Sequence, residues 1–256
     1  MSLGRKLRFR YYQLTGHSSR GLAFFHLPKC GGTSVFRSLQ RHFPAERQFV
    51  MESNASKDAA DLLGMPLWDY RLAVTVGELS KCSRYRLMAG HLPCNPAVLA
   101  RWRSDWMCMT ILREPVDRWL SHYYYDFGRD NRFRIDMPIE EYVDTPEAGV
   151  LGRFMTDQLS AGCGSDTPAD CLAAAKRSLD LMHVVGLTDD MSTLSLDFER
   201  SFGRSLSIGH LNRGRQRSTG VPSLTPSLLS RIESLCAVDL ALFDHARSSM
   251  CRENRL

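Results

Sequence analysis

A chain of 256 residues with 43% hydrophobic and 24% charged side chains is long enough to bury a substantial core and has an ordinary globular composition, which excludes collagen-like and disordered classes. No run approaches the roughly 18 apolar residues that a membrane span needs. The net charge of +5 resides in Arg5, Lys6, Arg8, Arg10 and Arg20, and the rest of the chain balances, so a protein that coats nucleic acid is not indicated.

The opening stretch MSLGRKLRFRYYQLTGHSSR contains no apolar leader segment, and a cytoplasmic location is expected. Residues 1–20 read as a basic arm, either solvated or in contact with an anionic partner or membrane surface. Residues 21–256 read as one domain. The eight cysteines include no C-x-x-C pair and give no support to a zinc site. Reduced thiols are expected in that compartment. Cys163 and Cys171 flank a turn rich in Gly, Ser, Asp and Pro and are placed to pair if the compartment allows it.

In chain order, Leu22–His26 is a short apolar run before Pro28 and a glycine pair, and predicts a buried strand. Val35, Phe36 and Leu39 then fall at helical spacing, predicting a helix over Thr33–His42. Residues 51–70 look irregular, with a helical turn or two. Leu72–Val76 and Tyr85–Ala89 are further strand candidates. Trp106–Leu112, apolar at nearly every position, is the clearest central strand. Pro115 opens a helix in the first-turn position, where its missing N–H costs nothing, with Val116, Leu120 and Tyr124 on one face. Shorter helices are predicted over Pro138–Val143 and Gly149–Leu159, and a longer one over Pro168–Leu181. Val184–Leu187 reads as a strand and Asp190–Phe202 as a helix. Residues 203–224 read as a Gly-, Ser- and Arg-rich loop, and Thr225 as the N-cap of a helical C-terminus. Strands alternating with helices predict an α/β domain: a central, mostly parallel sheet flanked by helices.

Three segments carry chemistry. In FFHLPKCGGTSVF, residues 24–36, a strand feeds a turn holding Lys29, Cys30, Gly31 and Gly32, and Thr33 and Ser34 open a helix. Free N–H groups and the positive helix end favour an anion there, and the glycines let the backbone approach it. This is a P-loop-like cradle but not Walker A, because the lysine precedes the glycines. A plain capped strand-to-helix turn is the alternative. In TILREPVDRWLSHYYYDFG, residues 110–128, a strand ends in Arg113 and the next helix carries Ser121. Ligands of open parallel sheets sit beyond strand carboxyl ends, and arginine suits a phosphate or carboxylate there. Pairing of Arg113 with Glu114 or Asp117 is the alternative. In MAGHLPC, residues 88–94, His91 follows a short strand and is either a base at neutral pH or a structural histidine.

HLPKCGGTS, AGHLP and LREPVDRWLSHYYY, in combination and in order, resemble motifs of the carbohydrate sulfotransferases that use 3′-phosphoadenosine-5′-phosphosulfate (PAPS), of the heparan sulfate 2-O-sulfotransferase type and its bacterial relatives. Weaker likenesses in DQLSAG, VVGLTDDM and LNRGRQRS extend the resemblance over residues 22–246. Cys30 stands where threonine is commoner, and Ala89 where the heparan enzyme has a second histidine. The resemblance implies that Lys29, Cys30, Gly31, Gly32, Thr33 and Ser34 hold the 5′-phosphosulfate, and that Arg113 and Ser121 hold the 3′-phosphate. Arg213, Arg215 and Arg217 would belong to a basic loop that closes over the nucleotide. His91 would take the acceptor proton, Lys29 would stabilise the bridging oxygen, and no metal would be needed. The implied acceptor is a hydroxyl of a glycan or glycolipid. An ATP-dependent small-molecule kinase and a non-catalytic nucleotide- or glycan-binding protein are the alternatives.

Overall fold

A computed structural model describes residues 20–130, 133–161, 163, 167–206, 208 and 224–253. Five strands form one parallel sheet: β1 (Gly21–Phe25), β2 (Gln48–Met51), β3 (Leu87–Gly90), β4 (Trp106–Leu112) and β5 (Val184–Leu187), in the order β2-β3-β1-β4-β5. The helices are α1 (Gly32–Gln40), α2 (Ser53–Leu62), α3 (Leu67–Leu79), α4 (Pro96–Trp102), α5 (Pro115–Asp126), α6 (Ile139–Tyr142), α7 (Pro146–Gly152), α8 (Phe154–Leu159), α9 (Pro168–Leu181), α10 (Met191–Phe202), α11 (Pro226–Leu235) and α12 (Ala237–Glu253). The predicted α/β class with a parallel sheet flanked by helices is the observed one. Among the described residues no helix is long and apolar enough to cross a membrane.

Both faces of the sheet are covered, which is why β1 and β4 are buried at every position and, Thr110 apart, show no polar residue instead of alternating. Leu22 and Phe24 pack on one face with Val35 and Leu39 of α1 and Phe198 and Phe202 of α10. Ala23 and Phe25 point to the other face, against Leu99 of α4, Leu159 of α8, Leu179 of α9 and Phe243 of α12. Each fully buried Leu or Phe contributes about 1.5–3 kcal/mol. A third cluster joins Val116, Trp119 and Tyr123 of α5 to Tyr142, Leu151 and Ile232. The apolar face of α5 therefore differs from the predicted one: Trp119 and Tyr123 are buried, and Tyr124 is exposed.

Leu72–Val76 is not a strand but the middle of α3. Its β-branched residues suggest a strand, yet Arg71, Thr75 and Leu79 are buried at intervals of four, the spacing of a helix face. Residues 51–70 are more regular than expected, holding the end of β2, all of α2 and the start of α3. Two elements are absent from the sequence reading, β2 and α4. The latter starts at Pro96 behind Asn95, whose Oδ1 accepts from the Val98 N–H at 2.9 Å. Cys163 and Cys171 form a disulfide, contrary to the expectation of reduced thiols, while Cys30, Cys82, Cys94, Cys108 and Cys236 are free. The basic arm falls on residues 1–19, outside the described residues, apart from Arg20.

The winding of the chain places the site. From β1 the chain leaves toward β2, and from β4 it leaves toward β5, although β1 and β4 are hydrogen-bonded neighbours. Diverging connections open a crevice at the carboxyl ends of those two strands. On the other side of β1, Gly90 at the end of β3 has φ +111°, and a Cβ there would lie 2.7 Å from the Met51 carbonyl oxygen of β2. Gly90→Ala should therefore cost at least about 2 kcal/mol, from left-handed strain plus overpacking. Urea denaturation checks this, and an unchanged midpoint would contradict the packing described.

Candidate functional site

The loop after β1 is shaped by close approach. Gly32 opens α1 directly against the His26 ring, where a Cβ would come within 2.1 Å of Cδ2. Gly31 caps the helix at φ 68° with no side-chain hydrogen bond, and no acid stands in the first turn. The N–H groups of Gly32 and Thr33 thus find no acceptor among the described residues. Lys29 also lies in the left-handed region, at φ 65°. Such strain, about 1–3 kcal/mol for a non-glycine residue, persists where its surroundings over-determine it and clusters at ligand sites. Ser34 is buried and Thr33 exposed. Cys30 is fully buried, its Sγ facing the Pro28 carbonyl at 3.7 Å, and burial pushes its thiol up to about 12. It is packed into the core beneath the loop as a protonated, buried thiol.

The loop is braced from below by Gln158 of α8. Its Nε2 donates to the carbonyls of His26, at 3.1 Å, and Leu92, at 2.9 Å, tying the segments after β1 and β3 together. Nothing in the local pattern of DQLSAG marks this role, which depends on two distant carbonyls.

Arg113, at the end of β4, is half-buried, and its Nη1 lies 3.4 Å from the Lys29 carbonyl oxygen. Asp117, exposed and one turn along α5, forms an ion pair with it at 3.8 Å, so the pairing offered as the alternative is present, in a loose and solvated form beyond hydrogen-bond distance. Glu114 does not pair with it: that carboxylate caps α5, accepting from the N–H groups of Val116 and Asp117. Ser121 is half-buried on α5, on the helix stripe that also carries Asp117 and Tyr125. At the end of that stripe the Lys29 ammonium sits 3.6 Å from the centre of the Tyr125 ring. Arg129 stacks on the same ring at 4.0 Å. Lys29 and Arg113 are thus brought together at one crevice, and Arg129 joins them unpredicted. Burial lowers the Lys29 amine to about 8; Asp126 opposes the shift, and Arg129 and Arg113 add to it.

His91 follows β3, next to the loop. Its Nδ1 is 2.8 Å from Ser53 Oγ, and its ring lies 5.4 Å from that of His26. Burial, with the positive surroundings of His26, Arg71 and His122, holds His91 well below the usual imidazole range. It is neutral at pH 7, and the same burial and positive neighbours weaken it as a base. His26, His91, Ser53 and Met51 line a cleft of about 200 Å³ at the carboxyl ends of β1, β2 and β3. A larger cleft of about 420 Å³ opens beside His183, at the amino end of β5, and contains no predicted site residue. On α5, His122 Nε2 contacts the buried Asp126 at 3.2 Å. Their spacing of four on one helix was the available signal for this pair. Arg213, Arg215 and Arg217 lie outside the described residues. Compared with known proteins, the chain matches no family model and no curated protein.

Two outcomes follow from these environments. At pH 8 about half of Lys29 is uncharged, against under about 1% of an ordinary lysine. A limiting amine-acylating reagent should therefore modify Lys29 ahead of Lys57, Lys81 and Lys176, as read by peptide mass spectrometry; uniform labelling would contradict this environment. Burial also lowers the imidazoles of His26, to about 4, and of His91 and His122. Below 6.5 the unfolded chain then binds more protons than the folded one, so stability is fully present above pH 6.5 and is lost as pH falls toward 4. Asp239, which burial raises to about 6, and Asp157, which burial also raises, have the opposite sign, but His42 and His183 are lowered as well, so two carboxyls stand against five imidazoles. Thermal melts from pH 7.5 to 4.5 should show the decline, and His26→Gln should flatten it; a slope unchanged by that substitution would sink the assignment.

Proposed function

We propose that the protein is a sulfotransferase that moves a sulfonyl group from PAPS to a hydroxyl of a carbohydrate acceptor. The observation that carries this reading is the meeting of Arg113 and Lys29 around a helix start with open N–H groups, beside a neutral histidine on the next strand. Two cations and a helix N-terminus suit a donor with phosphate groups at both ends. A strand ending in arginine, where a nucleotide triphosphatase usually places a magnesium-binding acid, favours this donor over ATP.

In the proposed reaction the acceptor oxygen bonds to sulfur as the bond from sulfur to the bridging phosphate oxygen breaks. The acceptor proton goes to His91. The electron pair released on the bridging oxygen is stabilised by Lys29 and the N–H groups of Gly32 and Thr33. Arg113 and Ser121 grip the 3′-phosphate and hold the donor in line.

The test combines donor binding and transfer. 3′-Phosphoadenosine 5′-phosphate should raise the melting temperature more than ATP does, and labelled sulfate from PAPS should appear on a member of a glycan array. Arg113→Ala should weaken donor binding by about 2–3 kcal/mol. Lys29→Ala should lose turnover more than affinity, and His91→Ala should slow transfer about 10²–10⁴-fold with donor product still bound. Preferential stabilisation by ATP would favour the kinase reading. Nucleotide binding with no transfer to any acceptor would favour a binding protein.

A further inference from the structure

His91 has its own support. Ser53, the first residue of α2, is the partner of Nδ1, while Nε2 has no hydrogen-bond partner among the described residues and is not sealed from solvent. Ser53 is itself pinned. The fully buried Arg71 of α3 donates from Nη2 to the Ser53 carbonyl at 3.2 Å and from Nε to Ser56 Oγ at 2.9 Å. Ser56 Oγ donates to the same Ser53 carbonyl at 3.0 Å. Trp68 stacks against the Arg71 guanidinium at 5.5 Å. This chain of contacts runs from the α2–α3 pair to one imidazole nitrogen, and it serves no other predicted site residue.

A neutral imidazole has one protonated and one basic nitrogen, and the partner of one decides the role of the other. If the Ser53 hydroxyl donated, Nε2 would carry the proton and the cleft would meet a donor. If it accepts, Nδ1 carries the proton and the cleft meets a lone pair. Only the second arrangement lets His91 act as a base toward the cleft. We propose that Ser53 is a positioning residue whose hydroxyl accepts the Nδ1–H of His91 and thereby leaves Nε2 as the basic nitrogen of the cleft. This rests on the reading of His91 as the acceptor's base. The charged and titratable groups acting on the ring are His26, Arg71 and His122, all of them basic. The orienting partner of His91 is thus a neutral hydroxyl, where a histidine base more often has a carboxylate.

The test reads the tautomer directly. The full chain, labelled with ¹⁵N-histidine, is measured at neutral pH, with the His91 signals assigned from His91→Gln. The expected result is a protonated Nδ1 and an unprotonated Nε2 in the wild type, lost in Ser53→Ala and kept in Ser53→Thr. Transfer assays should show kcat reduced about 10- to 100-fold in Ser53→Ala, the size of effect found when a metal-binding histidine loses the partner that orients it. KM for the donor should stay within about twofold, and Ser53→Thr should recover most of the rate. A protonated Nε2 in the wild type, or a tautomer indifferent to Ser53→Ala, overturns the proposal. If Ser53→Ala does not fold, the wild-type tautomer alone decides. If the wild type transfers no sulfonyl group, the functional reading fails separately, and the spectrum still decides what Ser53 does to His91.

Discussion

The site depends on one topological constraint: β1 and β4 lie side by side, yet the chain leaves them in opposite directions. Their carboxyl ends are therefore not roofed by a common connection, and the residues that follow them face each other across an open crevice. Lys29 follows one strand and Arg113 the other, and the 3.4 Å approach of the guanidinium to the Lys29 carbonyl follows from that adjacency. The close packing around β1 extends the same constraint to β3. Gly32 against His26, and Gln158 bridging the His26 and Leu92 carbonyls, bring His91 into the same neighbourhood.

Concentrating positive charge is costly, and the local structure shows how the cost is held down. The Lys29 ammonium rests on the Tyr125 ring, whose quadrupole attracts it without neutralising it, and Asp126 offsets part of its desolvation. The acid nearest to Arg113 stands off at 3.8 Å and is solvated, and Glu114 is spent on capping α5. The described carboxylates thus meet the crevice cations loosely, Asp117 as a solvated ion pair with Arg113 and Asp126 as a charge acting on Lys29. The histidines stay neutral mainly because they are buried, with the positive charges adding to the effect at His91.

The fold was largely legible because its main signals are local. A run such as Trp106–Leu112 has no polar face to show the solvent, so it belongs in the middle of a covered sheet. Pro115 and Thr225-Pro226 mark helix starts through backbone chemistry that needs no tertiary partner. The failures lie where tertiary contacts decide. Leu72–Val76 has strand-like residues, but its burial follows Arg71, Thr75 and Leu79. Strand β2 is four residues long, only Met51 is buried, and it exists by pairing with β3. Helix α2 buries only Ser56 and Ala60, and leaves little periodicity to read.

The site divides along the same line. Residues proposed to act through their own backbone or at a strand end, Gly31, Gly32, Lys29 and Arg113, are legible because the strand-loop-helix pattern already dictates what surrounds them. Residues proposed to act through another side chain are not. Ser53 sits in a stretch with no readable pattern and matters only because β2 and β3 are in register, with Met51 opposite Gly90. That pairing sets Ser53, two residues past Met51, beside His91, one past Gly90, although the two are 38 apart in sequence. Arg71 is further removed still, since its value lies in holding Ser53 from a helix that the sequence reading took for a strand. An error in one element thus hides every site residue that depends on it. The missing support of His91 and the misread α3 are one error, because the arginine could be placed behind Ser53 only once α3 was known to be a helix packed on α2.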